Sequence, residues 1–582
     1  QTFMEYRSEF GGANRVLVAL RARDGNMFST AFFEALRQAT DEVFFIDGVD
    51  RSRVSSLFTP NVRFTEVVED GIAGGNVVPA DFQPTAEGLE QVRKNILKSG
   101  IVGRLVANDF SAAIISAELI ETDPQTGKRI DFIEVGHQLE KLRDKFEDDL
   151  IEVNIIGYAK VIADIAEGAK RVILFFIGAF FLSGGLVYIF TRSHRVTAMA
   201  TICSLIAVVW QLGLLTWLGF GIDPMGILVP FLIFAIAISH AVQMITANRA
   251  AIFNGEDDLT AARKSFRRLL LPGGVALISD TIGFITIMLI DIEVIQQMAV
   301  TASLGVATII FTNLILLPVL LSYIGFPADY RQRLHDRIER TDRIWKRVSR
   351  IAEPWPAAAL IVVALVLLVF GARHASEIKI GDLHQGVPEL RPASRYNLDS
   401  KGITEHFSIG VDILTVIVET VPDGCIEYDI MENIDRFAWQ LSNTAGVQSV
   451  VALPGIAKVI NAGWSEGALK WRVLPRNRQV LVEAVQYIPT SSGLLNADCS
   501  TMPVMIFTKD HKAETIAHVV ETIKAYREEN GTDRIRYRLA TGNVGVMAAT
   551  NEEVASAQFP ILIYVFAAII ILCLVTFRSV KA

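Results

Sequence analysis

The chain has 582 residues, of which 51% are hydrophobic and 20% are charged, and its formal net charge is −8. This apolar excess lies above the usual share in soluble domains, so the composition excludes a purely soluble, secreted or fibrous protein. Four cysteines are too few for a disulfide framework, and residues 1–12 lack the apolar core of a cleavable signal peptide.

The first polar segment has the pattern of alternating strands and helices. We predict strands over residues 15–21, 54–57 and 105–119, helices over residues 28–45 and 86–98, and a Gly- and Pro-rich loop over residues 71–84. Residues 105–119 read as two strands joined by a turn at Asn108-Asp109. This order indicates compact split βαβ units.

Seven later stretches are strongly apolar, and nearly all are close to the roughly 20 residues needed to cross a bilayer. They are residues 173–190, 197–220, 226–245, 269–290, 299–324, 354–372 and 561–575. The sequence therefore predicts a polytopic membrane protein.

Positive charge alternates between the loops that connect these stretches. Lys and Arg cluster after the first, third, fifth and last stretches, whereas residues 221–223 and 291–297 contain none. Because Lys and Arg are retained on the cytoplasmic side, both long polar segments are predicted to lie together on the other side. The predicted organisation is an exported domain (1–168), five spans (169–326), a basic amphipathic cytoplasmic helix (327–353), a sixth span (354–372), a second exported domain (373–558) and a last span with a cytoplasmic end (559–582).

The second exported segment repeats landmarks of the first. Gly48-Val49 corresponds to Gly446-Val447, and Asp109-Phe-Ser111 corresponds to Asp498-Cys-Ser500. A repeated unit of one exported domain and several spans is typical of transporters built from parallel halves.

Three local patterns carry a family resemblance: the run from Pro224 to Ile245, the pair Arg192-Ser193, and Ile282-Gly-Phe284 before a second apolar stretch. With the layout, they resemble the resistance–nodulation–division (RND) superfamily, most closely its MmpL and hopanoid-exporter branch. The resemblance implies an α-helical polytopic membrane protein with two α+β (βαβ-type) extracytoplasmic porter domains and an RND-type pseudo-repeat. It also implies that the chain lacks the first span and the last four spans of that layout, and is incomplete at both ends.

No catalytic motif is found: the sequence has no GK[ST] phosphate loop, no paired CxxC and no HExxH, and it has no GxSxG on a strand-to-helix turn. We therefore predict that the protein is not an enzyme and has no cofactor or metal. Its energy source would be an ion gradient rather than ATP.

Ionisable side chains deep in a predicted span are functional candidates because they are costly to insert. His240 lies nine residues before Arg249, and Asp280 lies twelve after Arg268, so both fall at comparable depth on consecutive antiparallel helices. In the resembling family an acid near the Ser239-His240 position often carries the coupling proton, which suggests a proton relay of His240 and Asp280. The predicted supporting residues are Ser239, Gln243, Ser279, Thr281 and Asn313.

Alternatives stay open for these residues. His240 could be neutral and bonded to a backbone carbonyl, with Asp280 paired to the second half of the layout. Cys425 and Cys499 share one exported segment, where a disulfide and two unrelated small residues are both compatible with the sequence. Asp109 and Asp498 are predicted to satisfy backbone groups at turns.

The leading functional prediction is a proton-motive-force-driven exporter of a hydrophobic or amphiphilic, lipid-like molecule in a bacterial inner membrane, with two large periplasmic domains. Predicted partners are the substrate, protons and membrane lipids, with periplasmic or outer-membrane proteins as candidates, in a monomer or homo-oligomer and without nucleic acid. A drug or solvent efflux permease, a sterol-sensing-type receptor and a secretion accessory remain alternatives. A pure receptor would not need a titratable pair at mid-bilayer.

Overall fold

A computed structural model describes residue 6 and residues 14–578, except 69–70, 121, 123–126, 224–225, 325–345, 376–377, 379, 383–385, 411, 487 and 489. The chain divides into two compact units. One unit comprises Gln1–Glu167 and Ile380–Asn551, and the other comprises Gly168–Lys379 and Glu552–Ala582. The two polar segments of the sequence therefore belong to a single α+β unit.

The first α+β segment contains a three-stranded antiparallel sheet and a separate hairpin. Its elements are β1 (Arg15–Ala22), α1 (Thr30–Phe44), β2 (Arg63–Val68), β3 (Gly71–Asn76), α2 (Ala86–Ser99), β4 (Ala112–Glu118), α3 (Phe132–Phe146) and β5 (Ile151–Gly157). The sheet has the order β4-β1-β5, and β2 pairs with β3. Strand β1 is central and almost fully buried, because neighbours pair with both of its edges.

Polar side chains define where the helices of this segment begin. The side chains of Ser29, Thr85 and Asp131 accept hydrogen bonds from the first backbone N–H groups of α1, α2 and α3. Such caps satisfy donors that have no partner inside the helix. Helix α2 is followed by Gly100 at a φ of 68°, a conformation that glycine adopts without steric cost.

Three sequence predictions for this segment are wrong. Residues 54–57 are not a strand, and only Ser55 makes an isolated bridge. The predicted loop over residues 71–84 contains β3, because β2 supplies hydrogen-bond partners to this Gly-rich stretch. Residues 105–119 hold one strand rather than two: the predicted turn at Asn108-Asp109 is present, but before it only Val106 pairs, in an isolated bridge to Ala113. Helix α3 and strand β5 lie outside the predicted elements.

The next part of the chain is helical. Its elements are α4 (Tyr158–Thr191), α5 (His194–Trp217), α6 (Val229–Phe253), α7 (Asp258–Thr286), α8 (Glu293–Ile309), a π-helical stretch (Ile310–Leu316), α9 (Leu317–Ile324) and α10 (Pro354–Ala375). The predicted basic helix over residues 327–353 falls largely outside the described residues. Its last part contains a short 3₁₀ helix, Ser349–Ala352.

The second α+β segment and a last long helix complete the chain. The elements are α11 (Arg395–His406), β6 (Ile413–Thr420), α12 (Tyr428–Ser442), β7 (Val447–Val451), α13 (Leu453–Trp464), α14 (Arg478–Val485), β8 (Thr501–Thr508), α15 (Ala513–Asn530), β9 (Ile535–Thr541) and α16 (Asn543–Phe577). The strands form an antiparallel sheet of order β7-β8-β6-β9.

The two α+β segments share one topology. The order β8-β6-β9 repeats β4-β1-β5, and the isolated bridge of Val49 to Leu119 lies where β7 pairs with β8. Gly48 and Gly446 both have positive φ, 81° and 90°. The internal repeat seen in the sequence is therefore also a structural repeat.

Seven helices in the described part of the chain are long and apolar enough to cross a membrane. Their packing is uneven: 50% of the apolar stretch of α5 and 56% of that of α8–α9 are buried, against 0% for α10 and α16. Close approach in the bundle centre depends on Gly305, where an added Cβ would lie 2.5 Å from Ile233 Cγ1. The core of this unit is therefore formed chiefly by α5 to α9.

Candidate functional site

His240 of α6 is buried in the helical bundle, with 7% of its surface exposed. Its Nδ1 atom has no hydrogen-bond partner among the residues that the structure describes. A Cβ added at Gly273 of α7 would lie 3.8 Å from this atom, so the ring faces a backbone position without a side chain. One ring nitrogen of a buried imidazole is thus left without a protein partner.

Asp280 is on α7, two helical turns after Gly273, and is exposed at the surface of its unit. Its carboxylate interacts electrostatically with His240, but within the described residues the two share no hydrogen bond. The buried stripe of α7 ends at Leu277, one turn before Asp280. The structure therefore brings the two residues near each other without a hydrogen bond between them.

The five predicted supporting residues do not form one cluster around this pair. Ser239 and Gln243 are exposed, and Ser279 is half-buried. Thr281 Oγ1 donates to the carbonyl of Leu277 in its own helix, at 2.8 Å.

Asn313 is the one supporting residue at the centre of the bundle, where it is fully buried. Its Nδ2 donates to Ser204 Oγ at 3.1 Å and to the carbonyl of Ala237, one turn before His240. Its Oδ1 accepts from Thr312 Oγ1 at 2.9 Å. Asn313 therefore connects α5, α6 and the π-helical stretch in which it lies. Such stretches recur at functional sites, because they re-aim side chains within a helix.

Other buried polar residues of the bundle were not singled out by the sequence. Gln211 Nε2 donates to the carbonyl of Thr301 at 3.1 Å, while its Oε1 and the Nδ2 of Asn248 have no partner in the described residues. In the sequence, Gln211 and Asn248 are recognisable only as polar residues inside apolar stretches. That signal does not distinguish these residues from Ser and Thr side chains that bond their own helix.

The α+β unit contains a buried ionic cluster between its two segments. Asp399 of α11, with 1% of its surface exposed, accepts hydrogen bonds from Arg143 Nη2 at 2.6 Å and Arg395 Nε at 2.8 Å. It also accepts from the backbone N–H of Ile155 at 3.0 Å and from Asn154 Nδ2 at 3.3 Å. One carboxylate of the second segment is thereby bound to α3 and β5 of the first.

The same cluster continues into the first turns of α4. Glu140 lies 3.5 Å from Arg143 Nη2 and 2.7 Å from Lys160 Nζ, and Lys160 also pairs with Asp164. Arg395 extends the other end to Glu147. Charges of alternating sign therefore connect α4, α3 and α11.

Two histidines of this unit have opposite hydrogen-bonding roles. His511 Nδ1 lies 2.9 Å from Asp412 Oδ1, and Nε2 lies 2.6 Å from the carbonyl of Gly386, so both nitrogens face acceptors. Burial alone would lower the pKa of His511, but the bond and the charge of Asp412 raise it to about 9.

His406, at the end of α11, is different because one of its neighbours is a donor. Its Nδ1 lies 2.9 Å from Asp109 Oδ2, whereas its Nε2 lies 3.1 Å from Arg21 Nη1. A guanidinium only donates, so Nε2 is the acceptor in this contact.

The turns at Asp109 and Asp498 are structural and nearly identical. Asp109 Oδ1 accepts from the N–H of Ser111 at 3.0 Å, and Asp498 Oδ1 accepts from the N–H of Ser500 at 3.2 Å. The middle residue of the second turn, Cys499, is disulfide-bonded to Cys425. The bond links two parts of the second segment that are 74 residues apart.

No curated protein matches the chain, but residues 87–359 match the sequence model of the MMPL family. The matched region includes most of the helical unit, with His240, Asp280 and Asn313. Seven helices long and apolar enough to span a membrane agree with this assignment. The match over residues 87–359 supports an MmpL-type transporter of the RND superfamily, and the seven helices support a multi-pass membrane protein.

Proposed function

We propose that the protein uses a proton gradient to export a hydrophobic or amphiphilic, lipid-like molecule. The observation that carries the proposal is the buried His240, whose Nδ1 has no partner among the described residues. An unpaired polar atom in a membrane bundle is costly, so its retention indicates a use other than stability.

His240 supports proton coupling because imidazole titrates close to physiological pH. Protonation would place a positive charge in the bundle, and Asp280 is the acidic group with which His240 interacts electrostatically. Attraction between the two charges would favour a closer approach of α6 and α7, and release of the proton would remove it. A proton can bias a conformational equilibrium only by interacting differently with its two states, and this pair provides such a difference.

Two observations support placing the α+β unit outside the cytoplasm. The disulfide between Cys425 and Cys499 is typical of oxidising compartments. Lys and Arg also cluster in the loops assigned to the cytoplasm, as the retention of positive charge requires. We therefore assign the protein to a bacterial inner membrane, with its α+β unit in the periplasm.

The test replaces each member of the pair and measures gradient-dependent transport. His240→Phe and Asp280→Asn are reconstituted in proteoliposomes with a fluorescent single-chain lipid and an imposed pH gradient. Each variant has a matched control outside the pair: His194→Phe at the start of α5 and Asp291→Asn in the loop before α8. Thermal unfolding and gel filtration verify that every variant folds.

We expect both pair variants to lose at least 90% of the gradient-dependent transport and both controls to keep it. Full transport by either pair variant would remove that residue from the mechanism. Transport that persists unchanged after an uncoupler collapses the gradient would contradict proton coupling altogether. Ligand binding without any transport would instead favour the receptor class.

A further inference from the structure

The second α+β segment contains a cleft of about 660 Å³ that lies outside the cluster around Asp399. It opens between α12, α13 and the stretch of chain that leads into α14. Residues that line it include Tyr428, Lys458, Asn461, Trp471, Arg472 and Arg476. We call it the basic cleft.

The wall that carries the arginines is held in place by α13. Asn461 Nδ2 donates to the carbonyl of Trp471 at 2.8 Å and to that of Val473 at 3.1 Å. Leu474 and Pro475, which follow, are buried. The backbone that presents Arg472 and Arg476 is therefore anchored on both sides of Arg472.

The basic cleft is lined by three cations and two acidic residues. Its acidic residues are neutralised, because Asp435 pairs with Lys458 at 2.6 Å and Glu432 pairs with Arg436 at 2.9 Å. Arg472 and Arg476 make no ion pair within the described part of the chain, although Arg476 hydrogen-bonds to Tyr428 and is attracted to Glu432. The Arg476 guanidinium lies 5.7 Å from the centre of the Tyr428 ring.

Exposed apolar side chains lie directly beside these charges. Trp471, Val473 and Val480 line the cleft and are 47%, 49% and 40% exposed. The neighbouring Leu469 is 79% exposed. Exposed apolar surface next to arginines that make no ion pair within the described residues is complementary to a molecule that has both an anionic group and a hydrocarbon chain.

We propose that the basic cleft binds a single-chain amphiphile with an anionic head group. Arg472 and Arg476 bind the carboxylate or phosphate, and Trp471, Val473 and Val480 cover the first part of the chain. The inference rests on the proposed transport function and narrows its substrate class from lipid-like to anionic amphiphile. A volume of about 660 Å³ is within the range of small-molecule sites.

The experiment uses the full chain in nanodiscs of zwitterionic lipid and measures binding by calorimetry. The probes are dodecyl phosphate, lauric acid, uncharged 1-dodecanol and inorganic phosphate. We expect the two anionic amphiphiles to bind at least about 10-fold more tightly than dodecanol or inorganic phosphate, because each of the latter lacks one half of the recognised chemistry. Inorganic phosphate that binds as tightly as dodecyl phosphate would overturn the amphiphile assignment.

The decisive variant is the double substitution Arg472→Gln with Arg476→Gln. It should weaken binding of dodecyl phosphate and lauric acid at least about 10-fold and leave dodecanol unchanged. The matched control, Arg534→Gln with Arg536→Gln, removes two exposed arginines elsewhere in the same segment and should bind like the wild type. Unchanged binding by the first double variant, or equal weakening by the control, would overturn the proposal.

A second variant tests the apolar half of the site. Trp471→Ser should reduce the gain in affinity from decyl to tetradecyl phosphate, because part of the surface that covers the chain is lost. An unchanged dependence on chain length would remove Trp471 from the site. All these arginines and Trp471 are exposed, so their replacement should not impair folding.

Binding and coupling fail separately in these assays. His240→Phe should bind dodecyl phosphate normally and lose transport, whereas the Arg472/Arg476 variant should lose binding with the proton relay intact. Normal binding with transport that ignores the gradient would refute the proposed function alone. Gradient-driven transport with no anion dependence would refute the cleft assignment alone.

Discussion

The two units of this protein treat ionisable side chains in opposite ways. In the α+β unit, Asp399 is buried and accepts hydrogen bonds from two arginines, an amide and a backbone N–H. In the helical unit, His240 is buried with an unpaired ring nitrogen, and Asp280 is exposed nearby without a hydrogen bond to it. A buried carboxylate that accepts this many hydrogen bonds holds segments together, whereas an unpaired titratable group can respond to a proton. The comparison therefore separates a structural carboxylate from the titratable residues that we propose to couple transport to protons.

The largest expected effect on stability is that of replacing Asp399 in the α+β unit. Asp399→Asn removes the negative charge while Arg143 stays buried, and an uncompensated buried charge costs roughly 3–5 kcal/mol of stability. Thermal unfolding of the purified protein should show a clear fall in the midpoint for Asp399→Asn. The exposed Asp149→Asn serves as the matched control.

A second variant tests whether the ion pair of Arg143 and Asp399 adds stability beyond what two apolar side chains would give. Replacing both partners, Arg143→Met with Asp399→Leu, should recover most of the lost stability, because no charge is left unpaired. If Asp399→Asn unfolds at the same temperature as Asp149→Asn, the cluster is not structural and the contrast between the units fails.

The disulfide is the next largest contribution within the α+β unit. Replacing Cys425 and Cys499 together by Ser should destabilise the second segment by roughly 2–4 kcal/mol, because the bond closes a long loop in the unfolded chain. Hydrogen exchange would show faster opening of β8 and α12. A reducing agent should have the same effect on the wild type and none on the variant. If the reducing agent lowered the stability of the double-serine variant further, its effect would not be due to this disulfide.

The contribution of His511 to the stability of the α+β unit should depend on pH. Its pKa is raised to about 9, so its contribution is fully present below the ordinary value of 6.5 and is lost as the pH rises through about 9. The unfolding midpoint of the wild type, relative to His511→Gln, should therefore fall between pH 6.5 and 9. The exposed His518→Gln is the matched control and should follow the wild type. An equal pH dependence in His511→Gln and the wild type would contradict this assignment.

The smallest expected effect on stability is that of replacing His240 in the helical unit. His240→Phe should leave the unfolding midpoint unchanged or slightly raised, since it replaces an unsatisfied buried polar atom by an apolar ring. Its effect should appear in transport instead. A marked fall in stability would show that His240 has a structural partner, and the distinction between the two units would then not hold.

Much of the fold is accessible from local sequence patterns. Each predicted span overlaps a helix long and apolar enough to cross a membrane, and the ends agree to within three residues where the prediction runs past the helix. Hydrophobicity over some 20 residues is sufficient to identify such a helix. The repeated turns at Asp109 and Asp498 follow from Asx chemistry within three residues. Strands were less accessible: β3 is Gly-rich and exists because β2 pairs with it.

In the candidate site, too, some features are predictable from the local sequence and others depend on tertiary packing. His240 stands out in the sequence as a titratable residue inside an apolar run, and its burial agrees with that interpretation. The role of Asn313 depends on Ser204, which is 109 residues away, and on a π-helical stretch that has no clear sequence signature. The exposure of Asp280 depends on where the packing of α7 ends.

By itself, the sequence determines the membrane class, the order of segments and spans, the internal repeat and the resemblance to the MMPL family, because these depend on composition, local periodicity and nearby turns. Only the tertiary structure decides which charges are paired. Arg143 and Asp399 are separated by 256 residues, and Asp412 and His511 by 99. The physical reason is that the energy of a charged group depends on its burial and its neighbours, and distant parts of the chain become neighbours only in the folded protein.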